Sequence, residues 1–149
     1  MINLTTYKLM LVKDTSCRYE LDTKKIGSPK DAYSIIKDVF TMETQPEEIL
    51  ALLVLNTKNV VIACHEVSRG SINSSIVHPR EVFKRALLSN GASIILAHNH
   101  PSGDPTPSKE DISITIRLKE CGKILGIEVI DHVICGDGCF VSFKERGLL

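Results

Sequence analysis

Two histidines one residue apart, His98 and His100, close the apolar run Ile94-Ile95-Leu96-Ala97. The run reads as a buried strand, and the side-chain period of two sends both imidazoles to one face. Pro101, Gly103, Pro105 and Pro107 then break regular structure into a compact loop. Ser108 opens a segment in which Ile112, Ile116 and Leu118, with Ile114 between them, suit a helix. Asp111 falls in its first turn, where the helix N-terminus favours a carboxylate, and a loop folding back brings that acid beside the histidines. Two imidazoles and one carboxylate leave a fourth position on a divalent ion for water, the feature that separates catalytic from structural zinc. A plain structural reading uses the same residues: Ser108 and Asp111 fit a capping box with a short acid, and the histidines close a strand. The loop that joins the two halves favours the metal site.

The elements around this stretch are those of one domain over residues 1–149, a length sufficient for a core without staples. Tyr7 to Val12 is rich in strand formers, and Tyr19-Glu20-Leu21 reads as a short second strand. Ser28-Pro29 is an N-cap with proline in the first helical position, and Ala32, Tyr33, Ile36, Val39 and Phe40 line one face of a helix ending near Thr41. Ile49 to Leu55 is too short and too uniformly apolar for an amphipathic helix, so it reads as a central strand. The turn at Asn56 to Asn59 returns the chain as an antiparallel strand from Val60 to Cys64, and Glu66 to Gly70 continues or leaves it. Pro79 starts a helix through Leu88 with Val82, Phe83, Ala86 and Leu87 inward, and Asn90-Gly91 stops it. The helix from Ser108 is predicted to run to about Cys121, with Gly122 as terminator. Ile127 to Ile134 is a further strand, and Gly136-Asp137-Gly138 turns the chain into Phe140 to Phe143. Helices and strands interleave with hairpins among them, which predicts an α/β (α+β) mixed sheet flanked by helices.

Composition removes several classes. With 18 basic and 18 acidic side chains the formal charge is zero, so no global field draws the chain to nucleic acid or a membrane. No apolar run approaches membrane-spanning length, and the N-terminus lacks a small-residue cleavage pattern. Cys17, Cys64, Cys121, Cys135 and Cys139 are odd in number and scattered, which argues against a disulfide framework and for a reducing cytoplasm. Cys135-Gly-Asp-Gly-Cys139 reads as hairpin chemistry rather than as a second metal or redox pair. His65 and His78 lack a partner at ligand spacing and read as non-ligands; Arg80, Lys84 and Arg85 form a basic turn of the kind usually solvated.

The pattern His98-x-His100, seven residues, Ser108, two residues, Asp111 resembles the JAMM/MPN (JAB-type) metalloprotease motif, and His98-Asn99-His100-Pro101-Ser102-Gly103 resembles its RadC branch. Val77-His78-Pro79-Arg80-Glu81-Val82-Phe83, Asp131-His132-Val133-Ile134 and Val141-Ser142-Phe143-Lys144-Glu145-Arg146-Gly147 are similar too, so the likeness runs over 28–149 and leaves 1–27 as an N-terminal strand extension. The resemblance implies a fold similar to cytidine deaminases. Larger relatives carry an N-terminal helix-hairpin-helix region for which these residues leave no room, which implies a short, stand-alone form.

The implied activity is zinc-dependent hydrolysis of peptide or isopeptide bonds, with His98, His100 and Asp111 holding Zn2+. Amide hydrolysis also needs a group to take the proton of the activated water and hand it to the leaving nitrogen. The resemblance assigns that work to Glu48, ahead of the central strand; Glu47, which points the opposite way in an extended chain, and Glu66 are the other candidates. It gives Ser108 a catalytic part as donor to the oxyanion, alongside the plain N-cap reading. Asn99 faces away from the ion by alternation. His132 matches the family without a direct metal bond, and Asp104 or Asp131 could orient an imidazole. The expected partner is a peptide or protein substrate. A DNA-repair accessory or nuclease-like role is the first alternative, weakened by zero charge and by three tyrosines, four phenylalanines and no tryptophan. A metal-stabilised interaction module without turnover is the second.

Overall fold

Seven consecutive apolar residues, Ile49–Leu55, form a strand (β1) in which every side chain is buried. Such a run needs cover on both faces. Leu50, Leu52 and Val54 meet one apolar cluster; Ile49, Ala51, Leu53 and Leu55 meet another. The computed structural model of the chain describes residues 2, 4–8, 10–15, 24–70 and 77–149. Within them the order is α1 (Pro29–Phe40), a 3-10 turn (Met42–Thr44), β1, β2 (Val61–Arg69), α2 (Pro79–Leu88), β3 (Ser93–Asn99), α3 (Lys109–Leu125), β4 (Glu128–Cys135) and β5 (Phe140–Ser142).

The sheet is five-stranded in the order β2-β1-β3-β4-β5. β1 is antiparallel to both β2 and β3, β3 is parallel to β4 with α3 as the crossover, and β5 returns antiparallel. The mixed α+β sheet flanked by helices is therefore as expected. α1 covers one face through Ala32, Ile35 and Ile36. α2 and α3 cover the other through Val82, Phe83, Ala86, Ile114 and Leu118.

Helix limits follow local chemistry. At α1 the Ser28 hydroxyl accepts from Asp31 N–H and the Asp31 carboxylate accepts from Ser28 N–H, with Pro29 in the first turn. α3 runs past Gly122 to Leu125 and stops at Gly126, whose φ of 70° is the left-handed cap conformation. Gly122 is instead an interior packing glycine: a Cβ there would stand 2.4 Å from the carbonyl oxygen of Ile127 and 3.2 Å from Phe83. Its inward stripe is Asp111, Ile114, Thr115, Leu118 and Gly122, leaving Ile116 exposed. Leu87 likewise points outward from α2.

The described residues of the expected strand from Tyr7 to Val12 lie in no helix or strand, and Tyr7 and Val12 are exposed. Strand-forming side chains do not make a strand without a neighbour to bond, and none of the five strands pairs with this stretch. The expected strand at Tyr19-Glu20-Leu21 lies outside the described residues. Lys25 bridges to Val60 beside the start of β2. Among the described residues no helix is long and apolar enough to cross a membrane.

Candidate metal centre

β3 delivers His98 buried on the α2 and α3 side, beyond Ile94 and Leu96 of the same face. His100 extends the parallel register, its N–H donating to the carbonyl of Cys135 at 2.9 Å. The chain then turns back: Gly103 N–H donates to His100 O at 2.9 Å, and Gly103 takes a φ of 83°, which favours glycine. Asp104 closes the loop with its carboxylate, accepting from the N–H (2.9 Å) and hydroxyl (2.6 Å) of Thr106. The β4–β5 hairpin buttresses it, Asp137 N–H donating to Gly103 O at 3.0 Å.

The loop ends in the capping box of α3. Asp111 Oδ2 accepts from Ser108 N–H at 2.7 Å and from the Ser108 hydroxyl at 2.6 Å, while Ser108 Oγ lies 3.1 Å from Asp111 N. These bonds fold the carboxylate back over the helix end. Asp111 Oδ1 is 3.1 Å from His98 Nε2, and Oδ2 is 3.4 Å from His100 Nε2. The two Nε2 atoms are 2.9 Å apart. The cap reading and the metal reading thus describe one arrangement.

Residues with this chemistry fit a small divalent ion. Each offers one ligand atom, and those atoms all lie within 4.8 Å of one another. A tetrahedral ion with bonds of about 2.0–2.2 Å spaces its ligands by roughly 3.3–3.6 Å, close to the separations found here. His100 Nδ1 is 2.7 Å from the carbonyl oxygen of Asp104, which can only accept, so that nitrogen carries the proton and Nε2 faces the other ligands. Asp104 therefore orients an imidazole through its backbone. The Asp131 carboxylate does not: it accepts from His132 N–H, Lys144 N–H and the Ser142 hydroxyl, tying β4 to the chain beyond β5.

Electrostatics follow from burial and contact. Burial pushes the Asp111 carboxyl up, but hydrogen bonds from His100, His98 and Ser108 outweigh it and hold the group well below the ordinary carboxylate range. The Asp111 hydrogen bond raises His100. His132 is held well below the usual imidazole value, first by burial and then by the neighbouring His98.

Glu48 immediately precedes β1 and is half-buried. Alternation puts it on the side of Leu50, the residue paired with His98, and its charge contributes to raising His100. Glu47 is exposed, with its carbonyl accepting from Asn99. Glu66 lies opposite Ala51, whose side chain joins the α1 cluster, and both its oxygens are engaged by Arg69 at 3.0 and 2.8 Å. His65 bonds Ser89, His78 is the N-cap position of α2, and neither belongs to the ligand group. Arg80, Lys84 and Arg85 converge on Glu81, which neutralises part of the basic turn. Cys64, Cys121, Cys135 and Cys139 are free thiols.

The residue that sequence reasoning missed is Thr115. Its hydroxyl is 2.6 Å from the carbonyl oxygen of Asp111 and 2.6 Å from His132 Nδ1, and His132 Nε2 is 2.8 Å from His98 Nδ1. The available signal was its place four residues after Asp111, on the same helix face.

A family model described as a RadC-like JAB domain matches residues 26–148. A UPF0758 protein of Clostridium beijerinckii is 56% identical over 125 residues, covering 84% of this chain and 54% of the relative. UPF0758 proteins of Clostridium botulinum strains Hall and Eklund 17B are 54% identical over 125 residues, with the same coverage. The chain thus spans about half the length of the curated relatives it matches. With the family model covering residues 26–148 and relatives more than half identical over 125 residues, the chain belongs to the RadC-like JAB domain family.

Proposed function

We propose that this domain is a zinc-dependent metallohydrolase that cleaves peptide or isopeptide bonds, with His98, His100 and Asp111 as the metal ligands. The observation that carries the reading is the convergence of two imidazole Nε2 atoms and one buried carboxylate at 2.9, 3.1 and 3.4 Å. Two nitrogen donors and one oxygen donor suit zinc with a coordination position left open. A zinc ion there supplies Lewis acidity, making water far more acidic and polarising a carbonyl oxygen. Of the three ligands only His100 borders the cleft of about 320 Å³ lined also by Met42, Gln45, Pro101 and Asp137.

The remaining work belongs to side chains. Glu48, on the His98 face at the mouth of β1, takes the proton of the attacking water and passes it to the leaving nitrogen. Ser108 donates its hydroxyl to the substrate oxygen that becomes negative, turning away from Asp111 Oδ2 to do so. The ligands and Glu48 enter from different elements, so the sheet register sets their spacing.

The test compares metal content and turnover. Purified chain should carry about one zinc that the His98→Ala/His100→Ala variant lacks. Glu48→Gln should keep the metal and lose hydrolysis of a peptide and isopeptide library. Equal zinc in the double variant would end the metal assignment; full turnover by Glu48→Gln would remove that residue from the reaction.

A further inference from the structure

Behind His98, away from the ligand cluster, three short contacts run in series from α3 to β4 to β3, and counting protons along them gives one answer. Thr115 Oγ and the carbonyl oxygen of Asp111 stand 2.6 Å apart. Two oxygens at that distance need a proton between them, and a carbonyl has none, so the single hydroxyl proton of Thr115 is committed there. The next contact, Thr115 Oγ to His132 Nδ1 at 2.6 Å, must then take its proton from the imidazole. His132 is 1% exposed, with its face stacked on Phe143 at 4.7 Å, and among the described residues its ring atoms hydrogen-bond only to Thr115 and His98. A second proton on that ring would be a buried charge with no carboxylate bonded to it, which is costly. With Nδ1 protonated, Nε2 is bare. The last contact, His132 Nε2 to His98 Nδ1 at 2.8 Å, is therefore filled by a proton on His98 Nδ1. With a proton held on Nδ1, His98 turns its Nε2 toward Asp111 and His100.

We propose that Thr115 is a positioning residue: acting through His132, its hydroxyl keeps a proton on His98 Nδ1 and so reserves Nε2 as the nitrogen for a metal ion. The proposal rests on the metal-site reading for its consequence but not for its proton assignment. Thr115 sits one helical turn after Asp111, so the helix that carries the carboxylate ligand also sets the tautomer of a histidine ligand on β3. The register makes this link: parallel pairing sets His132 opposite Leu96, on the same face as His98.

Thr115→Val keeps the shape and removes the hydroxyl. His132 Nδ1 then has no acceptor, its proton moves to Nε2, and His98 must take its own proton on the nitrogen that a metal would use. The experiment measures imidazole tautomers by long-range proton–nitrogen NMR in metal-free full chain, and zinc(II) affinity by competition with a chromophoric chelator. In the unsubstituted protein His98 should show a protonated Nδ1. Thr115→Val should reverse this and weaken zinc binding roughly 10- to 100-fold, the range for outer partners of ligand histidines. Thr115→Ser, which restores the hydroxyl, should recover both. The proposal is overturned by a bare His98 Nδ1 in the unsubstituted, metal-free chain, a measurement that does not depend on a variant folding. It is also overturned by unchanged tautomers and zinc affinity in Thr115→Val. If the unsubstituted chain bound no zinc, the metal-site reading would fail while the tautomer measurements still judged the Thr115 chain.

Discussion

The side-chain oxygen of Asn99 accepts the backbone N–H of Ile49 at 2.7 Å, across fifty residues of sequence. Its amide nitrogen donates to the carbonyl of Glu47 at 3.0 Å. One side chain between the two histidines therefore grips the peptide units on both sides of Glu48, where β1 begins and its own backbone pairing with β3 has run out. Both the N–H and the carbonyl would otherwise lack a strand partner on that side.

Asn99→Ala should thus destabilise the fold by about 1–3 kcal/mol, the range for a buried backbone donor left unpaired. Urea unfolding of the metal-free chain measures it. If Glu48 is the general base, turnover should fall as well while zinc affinity holds, because the glutamate loses its fixed position and the ligands do not.

For Ser108, two roles predict different results from one variant. Ser108→Ala removes a helix cap, at a cost of about 1 kcal/mol, and releases the Asp111 oxygen that the hydroxyl holds at 2.6 Å. A role at the oxyanion adds a fall in turnover of roughly ten-fold or more with zinc retained. A lowered melting temperature with turnover intact would leave Ser108 as a cap alone.

The hairpin that supports the loop offers a third handle. A Cβ on Gly136 would stand 2.3 Å from the carbonyl oxygen of Gly103 and 2.8 Å from Pro105 Cδ. Gly136→Ala must push the loop that holds Asp104 against His100, so zinc affinity should drop with a stability loss of roughly 1–3 kcal/mol, typical of overpacking. Unchanged zinc affinity would mean that the loop absorbs the shift without moving Asp104.

Metal-free stability should depend on pH through His100, which the Asp111 hydrogen bond holds above the ordinary 6.5. A proton bound more tightly by the folded chain adds stability that is fully present below the unfolded value and is lost as pH rises through the folded one. Metal-free protein should therefore lose this contribution from pH about 6.5 upward, and His100→Gln should lack that slope. Burial lowers His65, which acts in the opposite sense, so the difference between the two proteins isolates the His100 part. Thermal melts at pH about 5.5 and about 8.5 supply the comparison. Zinc displaces the same proton, so its apparent affinity should climb through that window.

Much of the framework was legible in the residues alone, because it is decided over a few positions. The unbroken apolar runs of β1 and β3 announced strands covered on both faces, Ser28-Pro29 and Ser108 announced helix starts, and the His98, His100 and Asp111 spacing announced a cluster that could hold a metal ion. Each of these signals is a local period or a local hydrogen bond. The rest was decided by what lies beside what. Gly122 looked like a terminator and proved to be a contact point with Ile127 and Phe83, and the strand-like stretch at Tyr7 to Val12 found no neighbour to bond. Thr115 carries no motif of its own; its importance comes from the parallel register that sets His132 beside His98. Sequence periodicity reports which face a side chain takes, whereas the partner it meets there depends on how strands far apart in the chain are aligned, and only the assembled sheet fixes that alignment.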